Sequence, residues 1–196
     1  MSILALTSNT LSGTAASGNI EYNGQFFGTD SNASRAQMQR ITQSTAVAST
    51  SGTSLGFTSL PSWIKRITVM FDSVSTNGTS VILMQIGTSG GIQTTGYNSA
   101  GFGTTGGAVG TTQFTTGFGI GDNNAASDAY SGLASICLIG SNIWAISGGF
   151  HNGSAQYAAT GGSKSLGATL DRVRITTVNG TDTFDSFDLR TFQNYS

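Results

Sequence analysis

Residues 65–72 read Lys-Arg-Ile-Thr-Val-Met-Phe-Asp, and this stretch indicates the fold class more directly than any other. Ile67, Val69 and Phe71 fall at every second position, which is the pattern of a β-strand with one buried face. A second run, Val81 to Ile86, is hydrophobic at almost every position. A strand of this kind is apolar on both faces, so we expect it to lie between two sheets or beneath a partner.

The composition is that of a β-protein with many turns. Glycine contributes 28 of the 196 residues, proline contributes one, and only 9% of the residues are charged, against about 25% in a typical globular domain. Threonine and the aromatic residues favour strands, while glycine marks the turns between them. We predict an all-β fold, a jelly-roll-like antiparallel β-sandwich with an extended N-terminal arm and hairpin.

The N-terminal part differs in pattern from the rest of the chain. Its first 18 residues are small and polar, with leucines as the larger anchors, and are expected to form an extended arm. Asn23-Gly24 then predicts a tight turn between two short strands. Residues 34–41 fit a short helix or a strand equally well. From this change of pattern we predict two domains, an arm with its hairpin at 1–44 and a β-sandwich at 45–196.

Two Asn-Gly pairs recur with similar flanking residues. Asn77-Gly78 follows the strand at 66–72, and Asn179-Gly180 follows a second candidate strand at 172–178. Asn-Gly is the strongest short signal for a hairpin. We therefore expect a strand, a turn and a strand at both places, either by duplication or because two hairpins obey the same turn chemistry.

The segment from Gly87 to Gly121 is rich in glycine and threonine and carries four widely spaced aromatic residues. It cannot build a continuous core, although its rings can dock onto one. We predict two weak strands with long loops, mobile or shaped by an interface.

Catalytic and metal-binding patterns are not found in the sequence. His151 lies in a glycine-rich turn without a nucleophile motif, and Cys137 lies in an apolar run where an inert buried thiol is expected. Asp182, Asp185 and Asp188 should alternate between strand faces and so not converge; they are expected to be solvated or paired with Arg172 or Arg174. We assign no catalytic, cofactor-binding or metal-binding residues and predict that the protein is not an enzyme.

The charge balance narrows the classes of partner. Eight Lys and Arg residues against nine Asp and Glu give a formal net charge of -1, which disfavours binding to nucleic acid. No apolar run approaches the roughly 20 residues of a membrane span, so no membrane partner is expected. A chain with so few charges is poorly protected against self-association, and we expect a homo-oligomer.

Three stretches resemble a known family. Residues 60–71, Leu-Pro-Ser-Trp-Ile-Lys-Arg-Ile-Thr-Val-Met-Phe, together with Ser75–Thr79 and Gln85–Gly91, resemble a β-sandwich domain common in structural proteins of tailed bacteriophages. Residues 170–184 resemble its closing segment, and residues 18–30 resemble hairpin leaders of phage fibre-like proteins. The resemblance covers roughly residues 18–91 and 164–190. Residues 97–162 have no counterpart in it.

This resemblance implies a virion protein made in the host cytoplasm. The expected arm, the compact β-domain and the few charges favour a capsid decoration or cement protein. Such a protein would stabilise the head as a trimer through the arm and the β-domain, in contact with the major capsid protein. The alternative is a tail-fibre or receptor-binding protein that contacts a tail protein and a host surface glycan. The expected assembly contacts are large apolar side chains that short N-terminal segments cannot bury by themselves: Leu4, Leu6, Leu11, Tyr22, Phe26 and Phe27.

Overall fold

The computed structural model describes residues 17–22, 26–37, 41–105, 108–153, 156–186 and 188–194. Within these ranges the ordered elements are all strands and their pairing is antiparallel throughout, as predicted for an all-β fold. No helix long and apolar enough to cross a membrane occurs in the described part of the chain. Contacts divide the protein into two compact units, Met1–Arg40 and Ile41–Tyr195, within a few residues of the expected domain boundary.

The first unit holds a small three-stranded sheet with the order β1-β2-β3. Its strands are β1 (Ile20–Tyr22), β2 (Phe26–Thr29) and β3 (Arg35–Gln37). Tyr22 pairs with Phe26, so the predicted hairpin is confirmed, although its Asn23-Gly24 turn lies outside the described residues. Residues 35–37, for which helix and strand were both open, form a strand. The extended arm predicted for the first residues also lies outside the described part, except for residues 17 and 18.

The second unit is an antiparallel β-sandwich. Its larger sheet has the order β11-β10-β15-β14-β13-β7-β18-β4, with β17 beside β7 and β5 beside β18. Its smaller sheet has the order β12-β8-β16-β6, with β9 beside β8. The strands are β4 (Ile41–Gln43), β5 (Val47–Ala48), β6 (Ser54–Phe57), β7 (Arg66–Thr76), β8 (Ile82–Thr88), β9 (Gly91–Ile92), β10 (Tyr97–Thr105), β11 (Ala108–Phe114), β12 (Phe118–Gly119), β13 (Tyr130–Gly140), β14 (Ile143–His151), β15 (Tyr157–Ser165), β16 (Arg172–Thr177), β17 (Phe184–Ser186) and β18 (Asp188–Asn194).

The main core lies between the two sheets. Ile67, Val69 and Phe71 of β7 are buried there, as their alternation predicts. The other sheet contributes the inward side chains of β8 and β16, among them Met84 and Ile175. Trp63 packs against this core while remaining partly exposed.

Strand β8 is buried on both faces. Val81 and Leu83, on the face opposite the main core, pack with Phe114 in a second, smaller apolar cluster. Phe114 is the last residue of β11, in the segment rich in glycine and threonine. The cover expected over this strand therefore comes from the same chain rather than from a partner.

The segment rich in glycine and threonine is more ordered than its composition predicts. Four strands, β9 to β12, lie within it instead of two, and two of them are long: β10 and β11 pair over seven residues each, from Ser99↔Phe114 to Thr105↔Ala108. Tyr97 and Phe118 are buried, with ring centroids 4.9 Å apart in an edge-to-face arrangement. The expected docking of aromatic residues is confirmed, whereas the expectation of long loops is wrong, because glycine here allows close approach of neighbouring elements.

The two Asn-Gly pairs are corners between the sheets and not hairpin turns. Asn77-Gly78 leads from β7 in the larger sheet to β8 in the smaller one, and Asn179-Gly180 leads from β16 back towards β17. The corners contact each other. Asn77 N donates to Thr183 O and Thr183 N donates to Asn77 Oδ1, both at 2.9 Å. The two similar sequences thus form corners that contact each other where the chain passes between the sheets. The prediction of hairpin turns is wrong at both.

Candidate assembly surface

The outer face of the larger sheet extends over six neighbouring strands. Strand register places one outward residue from each of six neighbouring strands in a row. The central row is Met70, Leu133, Gly149, Ala159, Phe102 and Thr111. The next row is Thr68, Ser135, Ser147, Gly161, Ala100 and Gln113. The second row is made mostly of small residues, and the central row alternates small residues with Met70, Leu133 and Phe102.

This face carries almost no charge. The outward positions of β13, β14, β15, β10 and β11 that the structure describes include no Lys, Arg, Asp or Glu, and His151 is their one imidazole. Several of its apolar side chains are exposed: Val109 by 68%, Ile139 by 64%, Tyr157 by 52% and Leu133 by 48%. Exposed apolar residues spread over a face without charges are typical of surfaces that bind another protein.

The distribution of lysine and arginine along the sequence is a signal for this surface. No lysine or arginine occurs between Arg66 and Lys164. Strands β10, β11, β13, β14 and β15, which fall within that interval or end just past it, are adjacent in the larger sheet. These neighbouring strands also contain no Asp or Glu, so the stretch without positive charges becomes one continuous uncharged face.

Strand β11 forms the open edge of the same sheet. Among the described strands it pairs with β10 on one side and with no strand on the other. Its sequence, Ala-Val-Gly-Thr-Thr-Gln-Phe, contains neither a charge nor a proline, the residues that usually protect an edge from pairing with another chain. The edge therefore extends the uncharged face to a row of backbone groups that can accept a further strand.

The first unit presents its own apolar face. Ile20, Tyr22 and Phe26 lie on one side of its sheet; Ile20 is 66% exposed and Phe26 is 45% exposed. The rings of Tyr22 and Phe26 are 5.0 Å apart. An ion pair between Arg35 Nε and Glu21 Oε2, at 2.7 Å, lies on the other side. This arrangement agrees with the expectation that these rings need an additional surface to be buried.

Two of the proposed assembly contacts in this unit are thus located by the structure, Tyr22 and Phe26 on the apolar face. Phe27 is half-buried and lies on the opposite side of β2, opposite Glu21. Leu4, Leu6 and Leu11 lie outside the described residues. Of the three described residues, the structure brings Tyr22 and Phe26 together and separates Phe27 from them, because residues alternate along β2.

His151 and Cys137, the residues considered for catalysis or metal binding, lie in different surroundings. His151 is exposed at the end of β14, where its Nδ1 accepts a hydrogen bond from Gly153 N at 3.2 Å. Cys137 is only half-buried, whereas the sequence predicts a buried thiol. The reason is that side chains alternate along β13, so that Ile136 faces the core and Cys137 faces the outer side. In the described ranges, no three His, Cys, Asp or Glu side chains form a group able to hold a metal ion.

The aspartates near the C-terminus have local structural partners. Asp182 Oδ2 accepts from Ser80 N at 2.9 Å, and Asp185 Oδ1 accepts from the Ser75 hydroxyl. Of the two expected alternatives, pairing with Arg172 or Arg174 is not found for Asp182 or Asp185, and the side chain of Asp188 lies outside the described part. Arg172 pairs with Asp171, its neighbour in sequence, at 2.7 Å.

The fold and this surface define the protein as an antiparallel β-sandwich with a large uncharged sheet face. Comparison with known proteins adds no closer assignment: no family profile, no curated protein and no solved structure matches the chain.

Proposed function

We propose that this protein is a non-enzymatic structural component of a bacteriophage virion, a capsid decoration protein that associates with its own copies on the head. The observation that carries the proposal is the uncharged outer face of the larger sheet. The bacteriophage assignment is supported by the sequence resemblance in residues 18–91 and 164–190, and the association is supported by the composition and extent of this face.

The extent of the face suits an interface between subunits. Five strands about 4.8 Å apart and about 30 Å long give roughly 700 Å², close to the roughly 800 Å² that each partner buries in a standard protein interface. A net charge of -1 adds little repulsion between copies. The open edge at β11 and the apolar face around Tyr22 and Phe26 offer further contacts to a neighbouring copy or to the major capsid protein.

Gold labelling of intact virions with an antibody to the protein tests the location. The proposal expects label spread over the head. Label confined to the tail would contradict it and would favour a tail-fibre or receptor-binding protein instead. Labelling of virions from a phage that lacks the gene for this protein is the matched control.

Sedimentation of the purified chain tests the association separately. The proposal expects an oligomer at micromolar concentration, with the trimer as the expected state. A monomer across the concentration range would contradict self-association even if the label were found on the head.

A further inference from the structure

A groove on the outer face of the smaller sheet lies away from the surface described above. It has a volume of about 300 Å³, and its lining includes Ser54, Gln85, Thr94, Thr116, Arg174 and Thr176. Ser54, Arg174 and Gln85 belong to the neighbouring strands β6, β16 and β8. Thr94 and Thr116 come from the segment rich in glycine and threonine. The groove is therefore built from two parts of the chain that meet only in the folded protein.

The side chain of Arg174 is held in place by a buried glutamine, Gln85. Arg174 lies opposite Gln85 in the register of β16 and β8. Gln85 Oε1 accepts from Arg174 Nε at 2.9 Å and from Nη2 at 2.6 Å. Gln85 Nε2 donates to Thr116 O at 2.7 Å, and the glutamine is only 4% exposed. These bonds fix the guanidinium plane, so little side-chain entropy is lost when its remaining donors bind a ligand.

The charge of Arg174 is not neutralised within the described part of the chain. The ion pairs found there are Arg35 with Glu21 and Arg172 with Asp171. Gln85, the partner that holds Arg174, is neutral. Gly56, which lies on the other side of Arg174 in the sheet, adds no side chain over it. A half-buried guanidinium that has fixed geometry and no carboxylate partner favours a bidentate oxyanion such as a carboxylate.

The rest of the lining supplies hydroxyl groups. Ser54, Thr94 and Thr116 are exposed, and their hydroxyls have no hydrogen-bond partner among the described residues. The Thr176 hydroxyl, by contrast, donates to Thr53 O at 2.9 Å. A ligand that carries both a carboxylate and several hydroxyls can satisfy this combination of one cation and several neutral hydrogen-bonding groups.

We infer that this groove binds an acidic saccharide unit, whose carboxylate pairs with Arg174 and whose hydroxyls bond to the threonine and serine side chains around it. The inference does not depend on where the protein sits in a virion. It requires only that the full chain folds as described.

Calorimetric titration of the full chain with glucuronate tests this site. Glucose lacks the carboxylate and acetate lacks the hydroxyls, so both should bind at least tenfold more weakly than glucuronate. Equal binding of glucose would contradict the role of Arg174. Equal binding of acetate would contradict the saccharide class.

Two variants and a control complete the test. Arg174→Gln should weaken glucuronate binding at least tenfold, whereas Arg174→Lys should restore part of it. Arg66→Gln removes an exposed arginine on the other sheet and should leave binding unchanged. Thr94→Val changes an exposed groove residue without touching the core and should weaken glucuronate but not acetate. Unchanged glucuronate binding by a folded Arg174→Gln variant would overturn the inference.

Discussion

The carboxylate of Asp182 occupies the space that a Cβ on Gly78 would need. Asp182 is fixed there because its Oδ2 accepts from Ser80 N at 2.9 Å and its Oδ1 accepts from Asn179 Nδ2 at 2.6 Å. Asn124 Nδ2 also donates to Gly78 O at 3.0 Å. The Asp182 carboxylate thus connects the two Asn-Gly corners, and it has room there because residue 78 is a glycine.

Gly78→Ala should therefore destabilise the protein. The added methyl group displaces the Asp182 carboxylate and weakens its two hydrogen bonds, for a loss of about 1–3 kcal/mol in the free energy of unfolding. Urea denaturation measures this loss. Gly167→Ala is the matched control, because a Cβ at Gly167 meets nothing within 4 Å, and it should leave stability nearly unchanged.

A double-mutant cycle identifies the cause of that loss. Asp182→Ala removes the carboxylate, so Gly78→Ala should cost much less in the Asp182→Ala background than in the wild type. Equal costs in the two backgrounds would show that Asp182 is not what excludes a side chain at position 78.

Phe118→Ala should be among the most damaging substitutions in the chain. Phe118 is fully buried and packs edge-to-face against Tyr97, so its removal should cost about 3–5 kcal/mol of stability. Phe102→Ala, at a half-buried position on the outer face of the larger sheet, should cost far less. Similar losses at the two positions would contradict the placement of Phe118 in the main core.

Tyr97 should make the protein less stable at alkaline pH. Burial raises the pKa of Tyr97 from 10.0 to about 12, against smaller lowering effects of its hydrogen bond to Ile86 and of the positive charge of Arg174. Between pH 10 and 12 the unfolded chain releases the phenolic proton while the folded chain retains it. Stability therefore falls as the pH rises through this range, by up to about 1.4 kcal/mol per pH unit.

Comparison with Tyr97→Phe isolates this contribution. The variant loses the bonds that the hydroxyl accepts from Ile86 N at 2.8 Å and donates to Gln93 O at 2.9 Å, so it should be about 1–2 kcal/mol less stable at pH 8. The difference from the wild type should narrow above pH 10. A constant difference up to pH 11 would contradict the raised pKa of Tyr97.

The sequence predicts the core strands well because their signal is local. Alternation at Ile67, Val69 and Phe71 depends on neighbouring positions alone, as does the nearly continuous apolar run of β8. The corners at Gly78 and Gly180 were predicted as hairpins because turn chemistry is the same whether the following strand pairs with the preceding one or crosses to the other sheet. That choice depends on contacts across about 100 residues, such as the bond between Asn77 and Thr183.

The candidate sites were harder to predict for the same reason. The uncharged outer face of the larger sheet joins residues from six strands, and no single strand shows its extent. The bond between Gln85 and Arg174 spans 89 positions in sequence. The exposed position of Phe26 could be predicted from the sequence, because large rings in a short hairpin cannot be buried locally.

Leu133→Lys should disrupt association of the protein without unfolding it. Leu133 lies in the central row of the uncharged face and is 48% exposed. A lysine at this position is therefore solvated in the free subunit but contacts apolar groups when the face is covered by another subunit. Burying an unpaired ammonium group is costly, and we expect at least a tenfold weaker association by sedimentation.

Val178→Lys is the matched control, because Val178 is 49% exposed but follows β16 in the other sheet. Association that is weakened equally by both substitutions would indicate a general effect of charge, and association that survives Leu133→Lys would exclude this face as the interface.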